Sequence, residues 1–241
     1  MSTTAATFQR ARRPEQKQQR RDAILDAARQ LARRDGVRSV RLSDIAAQVG
    51  IHKSALLRYF ETREQIFLEL TAQSWREWGD GLHTELDAAS VATADLVADA
   101  LARSFAERPL LCDLIAHTAL NLERNVSPEA VRRYKRTSLG AIERAAGAVH
   151  EALPELDVDE CRELVSTIAT LTGTLWQIAN PPAALAELYA SDPQLARACV
   201  ELTPRLRRIA TILLAGLIPT RPPTLRPGVD SAGGGCDGMQ V

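Results

Sequence analysis

The short segment from Arg41 to Arg63 carries side chains whose chemistry suits a nucleic acid. Lysine, serine, arginine and tyrosine stand at positions 53, 54, 58 and 59. Their ammonium, hydroxyl and guanidinium groups are the donors that phosphate oxygens and base edges accept. Because these donors lie close together in the sequence, one short helix could present several of them to the same partner. We therefore interpret the segment as a candidate site for hydrogen bonding to a nucleic acid.

The distribution of charge along the chain supports this interpretation. Residues 1–63 contain 14 Lys and Arg against 6 Asp and Glu, whereas the whole chain carries 30 of each and has no net charge. The first quarter is therefore basic and the remainder acidic, so a polyanionic partner is expected for the first quarter alone. Charge by itself leaves a solvated basic face as an equal alternative.

A helix-turn-helix would hold these donors in place. Two short helical stretches flank Gly50, a residue type that tolerates the positive φ of a tight turn. Ile45 and Ala46 are expected to face inward on the first stretch. The apolar residues that close the core are Val49, Ile51, Leu56 and Phe60. On spacing alone, a helical hairpin within a plain bundle remains an alternative.

The longer stretch RDAILDAARQLARRDGVRSVRLSDIAAQVGIHKSALLRYFETREQIFLEL, residues 21–70, resembles the N-terminal domain of TetR-family regulators. The shared pattern is an amphipathic first helix ending at Gly36, the DIAAQVG segment, and Tyr59-Phe60 followed by a basic residue that opens helix four. The resemblance implies a homodimer that binds a palindromic operator through two such heads. It also implies a C-terminal helical domain whose ligand shifts the spacing of the heads, as expected of a ligand-responsive repressor.

The same resemblance assigns the recognition helix to Lys53–Phe60. It predicts DNA contacts at Arg41, Ser43, Lys53, Ser54, Ala55, Leu57, Arg58, Tyr59 and Arg63. Arg63, at the start of the fourth helix, is expected to reach a phosphate. Leu57 stands where the family often has tyrosine, which favours contact with a thymine methyl group. Arg41 stands where the family has a serine or threonine cap, so Ser43 is a candidate cap for the second helix.

Helical periodicity continues along the whole chain, and no window of alternating β-branched residues is long enough for a strand. The sequence predicts an all-α protein of nine or ten helices, with a three-helix DNA-binding head and a helical-bundle body for ligand binding and dimerisation. The first helix is expected to begin near Arg20. The predicted organisation is a disordered basic arm over residues 1–18, the head over 19–65, the body over 66–217 and a disordered tail over 218–241.

Two stripes of large aliphatic residues suggest a dimer interface in the body. They are Leu164, Ile168, Leu171 and Leu175 in one helix, and Leu206, Ile209, Leu213 and Leu217 in the last helix. Two such helices from each subunit could build a four-helix interface, as the last long helices of TetR-family proteins do. Packing within a single chain is the alternative.

An apolar cavity in the body is predicted as a ligand site. Its candidate lining residues are Trp75, Trp78, Phe105, Leu111, Ile115, His117, Leu120, Asn121, Thr172 and Trp176. His117, Asn121 and Thr172 would be polar anchors among apolar walls. The expected occupant is a small apolar or amphipathic molecule. Any one of these residues, taken singly, is better explained as part of the core.

The motifs of common enzymes are missing from the sequence. It contains no Glu-x-x-His pair of a di-iron bundle, no glycine-rich phosphate loop, no GxSxG and no HExxH. The acidic run at Asp157, Asp159 and Glu160 is explained as the start of a helix, where carboxylates cap free N–H groups. We therefore expect no catalytic residue, bound metal or cofactor.

The remaining features of the sequence concern metal binding and the location of the protein in the cell. The four cysteines lie too far apart for a metal finger, and the chain has neither a run of eighteen apolar residues nor a secretory signal. The expected location is the cytoplasm. A DNA-binding protein of the same fold without a small-molecule ligand remains the main alternative to a ligand-responsive regulator, and a helical-bundle enzyme is a more distant one.

Overall fold

The structure, a computed structural model, describes residues 4–89 and 92–218. Over these residues the chain forms ten α-helices and no strand, which confirms the predicted all-α class. The helices are α1 Thr4–Asp35, α2 Leu42–Val49, α3 Lys53–Leu56, α4 Arg63–Asp87, α5 Ala94–Ala106, α6 Pro109–His117, α7 Pro128–Ala152, α8 Val158–Ala179, α9 Ala183–Ser191 and α10 Leu202–Leu217. A π-helical turn, Thr118–Leu122, follows α6, and a 3-10 turn, Ala196–Ala198, precedes α10.

Helix α1 is longer than the sequence predicted. It begins at Thr4, whereas we expected a disordered arm over residues 1–18 and a helix beginning near Arg20. Most of the added segment is Ala, Gln and Arg, which have high intrinsic helix propensity and favour the extension, whereas Pro14 within it opposes helix formation. The predicted tail lies outside the described residues except for Ile218.

The head is built from α1, α2 and α3 around a small core. Ile24 of α1, Ile45 of α2 and Phe60 after α3 are all buried. Gly36 ends α1 with a φ of +79°, and Gly50 ends α2 with a φ of +71°. Both values lie in the left-handed region that glycine adopts without a Cβ clash, so each glycine turns the chain sharply between helices.

The body is a helical bundle arranged around α4, which runs out of the head. Helix α4 packs along α7, α8 packs against α6 and α7, and α10 packs against α5 and α8. A Cβ atom at Gly79 would lie 3.1 Å from the carbonyl oxygen of Ala141. The missing side chain therefore allows α4 and α7 to approach closely. Within the described ranges, no helix combines the length and apolarity that a bilayer span needs.

Candidate nucleic-acid interface and ligand clefts

The start of the helix-turn-helix depends on Asp44, not on the serine that the sequence suggested. Arg41 is the N-cap of α2, and its backbone N–H donates to the Asp44 carboxylate at 2.8 Å. Ser43 lies inside the helix, where its hydroxyl is 3.3 Å from the same carboxylate. The prediction of Ser43 as the cap is therefore wrong, because a carboxylate three residues along already bonds the N-cap N–H.

Helix α3 is shorter than the predicted recognition helix. It ends at Leu56, and residues 57–59 form turns. The N–H of Phe60 donates to the Leu56 carbonyl at 3.3 Å. His52 is its N-cap, with the ring Nδ1 accepting from the Ser54 N–H at 3.4 Å and lying 2.9 Å from the Ser54 hydroxyl. The sequence analysis missed this capping role, although His52 directly precedes the helix.

Six of the nine predicted DNA-contacting side chains are exposed, and three are half-buried, Arg63 among them. Lys53, Ser54 and Arg58 are exposed, as are Arg41 and Ser43. The side chain of Leu57 is 45% exposed, so its methyl groups are available to a partner. Ala55 and Tyr59 are half-buried.

Arg63 does not present a free guanidinium to a phosphate. Its Nε donates to the Val40 carbonyl at 2.5 Å, a second nitrogen donates to the Val37 carbonyl, and the third lies 3.3 Å from the Glu64 carboxylate. The guanidinium carbon also lies over the aromatic ring of Phe67, 4.5 Å from its centroid. All three nitrogens thus have partners within the protein, and this bond network ties α4 to the α1–α2 turn. A phosphate contact by Arg63 stays a prediction.

Arg21 is a structural residue that the sequence analysis did not single out. It donates to the Tyr59 carbonyl at 2.5 Å and to the Glu69 carboxylate at 2.5 Å. Its guanidinium lies 4.2 Å from the centre of the Phe60 ring. Arg21 therefore fastens the end of the helix-turn-helix to both α1 and α4, and its position in an apolar stripe was the only available signal.

The predicted apolar pocket in the body is mostly solid core. Trp78 stacks on Phe105 with a centroid distance of 4.6 Å, and Trp75 meets Trp78 edge-on at 5.3 Å. All three rings are buried. The sequence predicts these large aromatic residues as cavity walls, but in the structure they pack on each other.

The other predicted pocket residues divide between core, surface and a real cleft. Thr172 is buried and donates its hydroxyl to the Ile168 carbonyl at 2.8 Å, and Ile115 packs against Gly173 of α8. Leu120 is 67% exposed, and Asn121 is also exposed. Leu111, His117 and Trp176, in contrast, do line a cleft.

This cleft, which we name the Asp113 cleft, lies between the head and the body and has a volume of about 620 Å³. Its walls come from the end of α1, the α1–α2 turn, α4, α6 and α8. The Asp113 carboxylate accepts from the Val37 N–H at 2.7 Å and from the Gln177 amide at 3.1 Å. His117 Nε2 lies 3.5 Å from the same carboxylate. One side chain of α6 thus joins the head to α8.

The electrostatics of Asp113 follow from these contacts. Burial acts to raise the pKa of the Asp113 carboxyl, because a charged group loses hydration there. Hydrogen bonds from His117, Val37 and Gln177 act in the opposite direction and prevail, so the pKa lies below its ordinary value. Asp113 is therefore a carboxylate under neutral conditions and holds its donors as an anion.

The residues predicted for the dimer interface are only partly available to a partner. Leu164, Ile168 and Leu206 are buried inside the protomer. Leu171, Leu175, Ile209 and Leu213 are half-buried at its edge. These three therefore offer little surface to a partner, because they face the core of their own chain, although Leu164 also lines the groove between α8 and α10.

A different face of α8 and α10 is exposed beside them. Thr170, Thr174 and Ile178 of α8 are exposed, and Ile212 of α10 is 59% exposed. An apolar groove of about 220 Å³ lies between the two helices, and it includes Thr167 and Ile212 in its lining.

A helix-turn-helix head with exposed donors, set on a larger helical body, is the architecture of a DNA-binding regulator. Residues 24–70 match the family model described as bacterial regulatory proteins, tetR family. Residues 72–221, more than half of the chain, match the model described as tetracyclin repressor-like, C-terminal domain. The chain belongs to the TetR family of transcriptional regulators, as its sequence indicated.

Solved structures share the fold. FadR of Thermus thermophilus, a TetR-family transcriptional repressor in complex with lauroyl-CoA, aligns with a TM-score of 0.53 at 17% identity, covering 86% of this chain and 100% of that one. The transcriptional regulator FadR of Bacillus subtilis, in complex with stearoyl-CoA, aligns with a TM-score of 0.50 at 18% identity, covering 82% and 97%. At such identities the similarity shows the fold alone. No curated protein sequence matches the chain.

Proposed function

We propose that this regulator is a repressor that binds a palindromic operator as a homodimer and releases or tightens its hold when a small ligand binds. The observation that carries the proposal is the exposed group formed by Lys53, Ser54, Leu57 and Arg58, on a segment whose opposite side is buried in the head. An ammonium, a hydroxyl, a methyl-bearing side chain and a guanidinium together match what phosphates and major-groove base edges offer.

The experiment that tests DNA recognition is selection of double-stranded DNA from a random pool by the full chain. We expect enrichment of a two-fold symmetric sequence, because a symmetric dimer presents two identical heads. The Lys53→Ala/Arg58→Ala double variant should lose the enrichment, whereas Arg124→Ala/Arg132→Ala, with the same charge change on exposed residues outside the head and outside α8 and α10, should keep it. Equal enrichment by both double variants would contradict the proposed interface.

Dimerisation is proposed through the exposed face of α8 and α10 around Thr170, Thr174 and Ile212. Its support is the exposure of Ile212 and Ile178 beside an apolar groove, an arrangement that leaves large aliphatic groups in water in a monomer. Half-buried Leu171 and Leu213 would complete the interface at its margin. An isologous pairing of two such helices per subunit gives a four-helix contact.

The ligand is proposed to be a small amphipathic molecule that enters the Asp113 cleft. The cleft volume of about 620 Å³ falls within the range of small-molecule sites, and Leu111 and Trp176 supply apolar walls beside the polar His117. A ligand bound in this cleft would change the hydrogen bond between the Val37 N–H and the Asp113 carboxylate, and so the position of the head. Acyl-CoA, which the FadR proteins named above bind, is one member of this class to test here.

A regulator of the same fold without a small-molecule ligand is the second candidate. The packing of Trp75, Trp78 and Phe105 favours it, since these three buried rings contact one another where a cavity was predicted. A rise in the thermal unfolding midpoint on addition of lauroyl-CoA would exclude the second candidate, because a ligand of the native state raises the midpoint. For either function the site of action is proposed to be the cytoplasm, where the operator lies.

A further inference from the structure

A second cleft, distinct from the Asp113 cleft, lies between α1, α4 and α7. We name it the α1–α7 cleft; its volume is about 730 Å³. Its lining contains five cationic residues, namely Lys17 and Arg21 of α1, Arg76 of α4, and Arg133 and Arg136 of α7. Glu69 is the one carboxylate in the lining. Such a concentration of positive charge stands out, because the chain beyond the head is acidic overall.

Four of the five cations are free to act on a ligand. Glu69 is already paired with Arg21 at 2.5 Å, so it neutralises only that guanidinium. Across the described part of the chain, no carboxylate lies within ion-pair distance of Lys17, Arg76, Arg133 or Arg136. Arginines elsewhere on α7 differ in this respect, since Arg132 pairs with Glu129 at 2.5 Å and Arg144 pairs with Asp80 at 3.1 Å.

The floor of the cleft is apolar and aromatic. Leu68 and Ala72 of α4 and Ala130 and Tyr134 of α7 line it, and all four are buried. Guanidinium groups above an apolar floor suit a molecule with an anionic end and an apolar body, because the fork of arginine matches phosphate oxygens while the floor removes the apolar part from water. A bare inorganic anion would leave the floor unused.

We propose that the α1–α7 cleft binds a small phosphate-bearing amphipathic molecule, with Arg133 and Arg136 as the principal phosphate ligands. Arg76 and Lys17 add charge from the opposite walls, and the ring of Tyr134 contacts the apolar part. Since α1 belongs to the head and α7 to the body, the occupant touches both, and its binding is linked to their relative position. The site goes beyond the proposed function, which places its ligand in the Asp113 cleft. Binding of the probe to the α1–α7 cleft is measured on the chain without DNA.

The probe is 1-naphthyl phosphate, titrated by its fluorescence against the full chain at low ionic strength. We expect it to bind more tightly than 1-naphthol, which lacks the charge, and than inorganic phosphate, which lacks the ring. In Arg133→Ala/Arg136→Ala the affinity for 1-naphthyl phosphate should fall at least about tenfold, because two charge-assisted contacts are removed. The control is Arg132→Ala/Arg144→Ala, which makes the same charge change on the same helix outside the cleft and should bind as wild type.

Three outcomes overturn the proposal. The first is no saturable binding of 1-naphthyl phosphate by the wild type, and the second is equal affinity in the two double variants. The third is a selective loss of DNA affinity by Arg133→Ala/Arg136→Ala, with a flatter salt dependence and no selective loss of the probe, which would assign the cleft to the DNA backbone. Circular dichroism of each variant verifies helix content, and failure of DNA selection leaves the probe result intact.

Discussion

The backbone N–H of Val37 donates a hydrogen bond of 2.7 Å to the side chain of Asp113, 76 residues further along the chain. Val37 lies in the turn between α1 and α2, and Asp113 lies on α6 of the body. Gln177 of α8 and His117 of α6 contact the same carboxylate. A shift of α6 or α8 therefore changes the support of the turn that leads into the helix-turn-helix.

Removal of this carboxylate should change the pH dependence of stability. The pKa of Asp113 is lowered in the folded chain from an ordinary value of 3.8, so its contribution is fully present above that pH and is lost as the pH falls through the lower folded value. Asp113→Asn should therefore flatten the acid side of the curve of unfolding free energy against pH, measured by urea unfolding. Asp87→Asn, an exposed carboxyl at the end of α4, is the control and should keep the wild-type slope. If the slope of unfolding free energy against pH is the same in Asp113→Asn as in wild type, Asp113 does not stabilise the fold as a carboxylate.

The two strongest donors of the recognition segment should behave differently on DNA. Lys53→Ala should weaken binding to all sequences alike and reduce the salt dependence by about one unit per contact, as the loss of a phosphate contact does. Arg58→Ala should cost about 1–3 kcal/mol per half-site and relax specificity at one base position. Fluorescence anisotropy over a salt series measures both. If both variants keep their helix content and bind DNA as tightly as wild type, this surface does not recognise DNA.

Arg63 should matter for folding of the head instead of acting as a phosphate ligand. Arg63→Ala removes the donors to the carbonyls of Val37 and Val40 and the contact with Phe67. We expect a loss of about 2–3 kcal/mol in the free energy of unfolding, since two carbonyls lose charged donors. Lys53→Ala, on the exposed surface, should leave stability nearly unchanged. Equal stability of the two variants, measured by urea unfolding, would contradict the structural role.

A charge on the exposed face of α8 and α10 should separate the dimer. Ile212→Glu would place an unpaired carboxylate in the interface, at a cost of several kcal/mol per subunit. Leu139→Glu is the matched control, because Leu139 of α7 is 60% exposed and Ile212 is 59% exposed. Sedimentation velocity should find Ile212→Glu monomeric and Leu139→Glu dimeric. A dimer in both variants would move the interface elsewhere.

The thiols should react in an order set by burial. Burial raises the pKa of Cys112 to about 12 and that of Cys161 to about 11, and both side chains are buried. Cys199 is exposed. Because the thiolate is the reactive form, iodoacetamide at mildly alkaline pH should alkylate Cys199 in the native chain, and Cys112 and Cys161 only after unfolding. Cys236 lies outside the described residues. Peptide mass spectrometry reads the order, and early labelling of Cys112 would contradict it.

The sequence was most informative where several local requirements agreed. Gly50, Ile45 and Phe60 each have one role in a helix-turn-helix, and the structure places them in those roles. The carbonyl network of Arg63 could not be predicted, because its basic character and its position at a helix start fit a phosphate contact as well as bonds to carbonyls. Only the fold decides which acceptors come near it.

The interface and the pocket of the body were harder to predict, because the same apolar spacing suits a dimer interface, a cavity wall or the core of one chain. Leu164 and Ile168 repeat at the spacing that suits a dimer interface, yet the same spacing suits the core of one chain, where they lie. Trp75 and Trp78 could have walled a cavity, but their size lets them fill it. Exposed Ile212 carried no sequence signal, since its exposure depends on which helices surround α10.

The length of α1 determines how far one end of the helix moves when the helix tilts by a small angle. The stretch of α1 from Gln16, beside Arg58 in a polar cleft of the head, to Asp35, in the Asp113 cleft, is one unbroken helix. At the rise of an α-helix it measures about 28 Å, so a tilt of about 5° displaces one end by roughly 2.5 Å relative to the other. That displacement approaches the length of a hydrogen bond, so a slight rotation of this rod is enough to separate a donor beside Gln16 from a fixed acceptor.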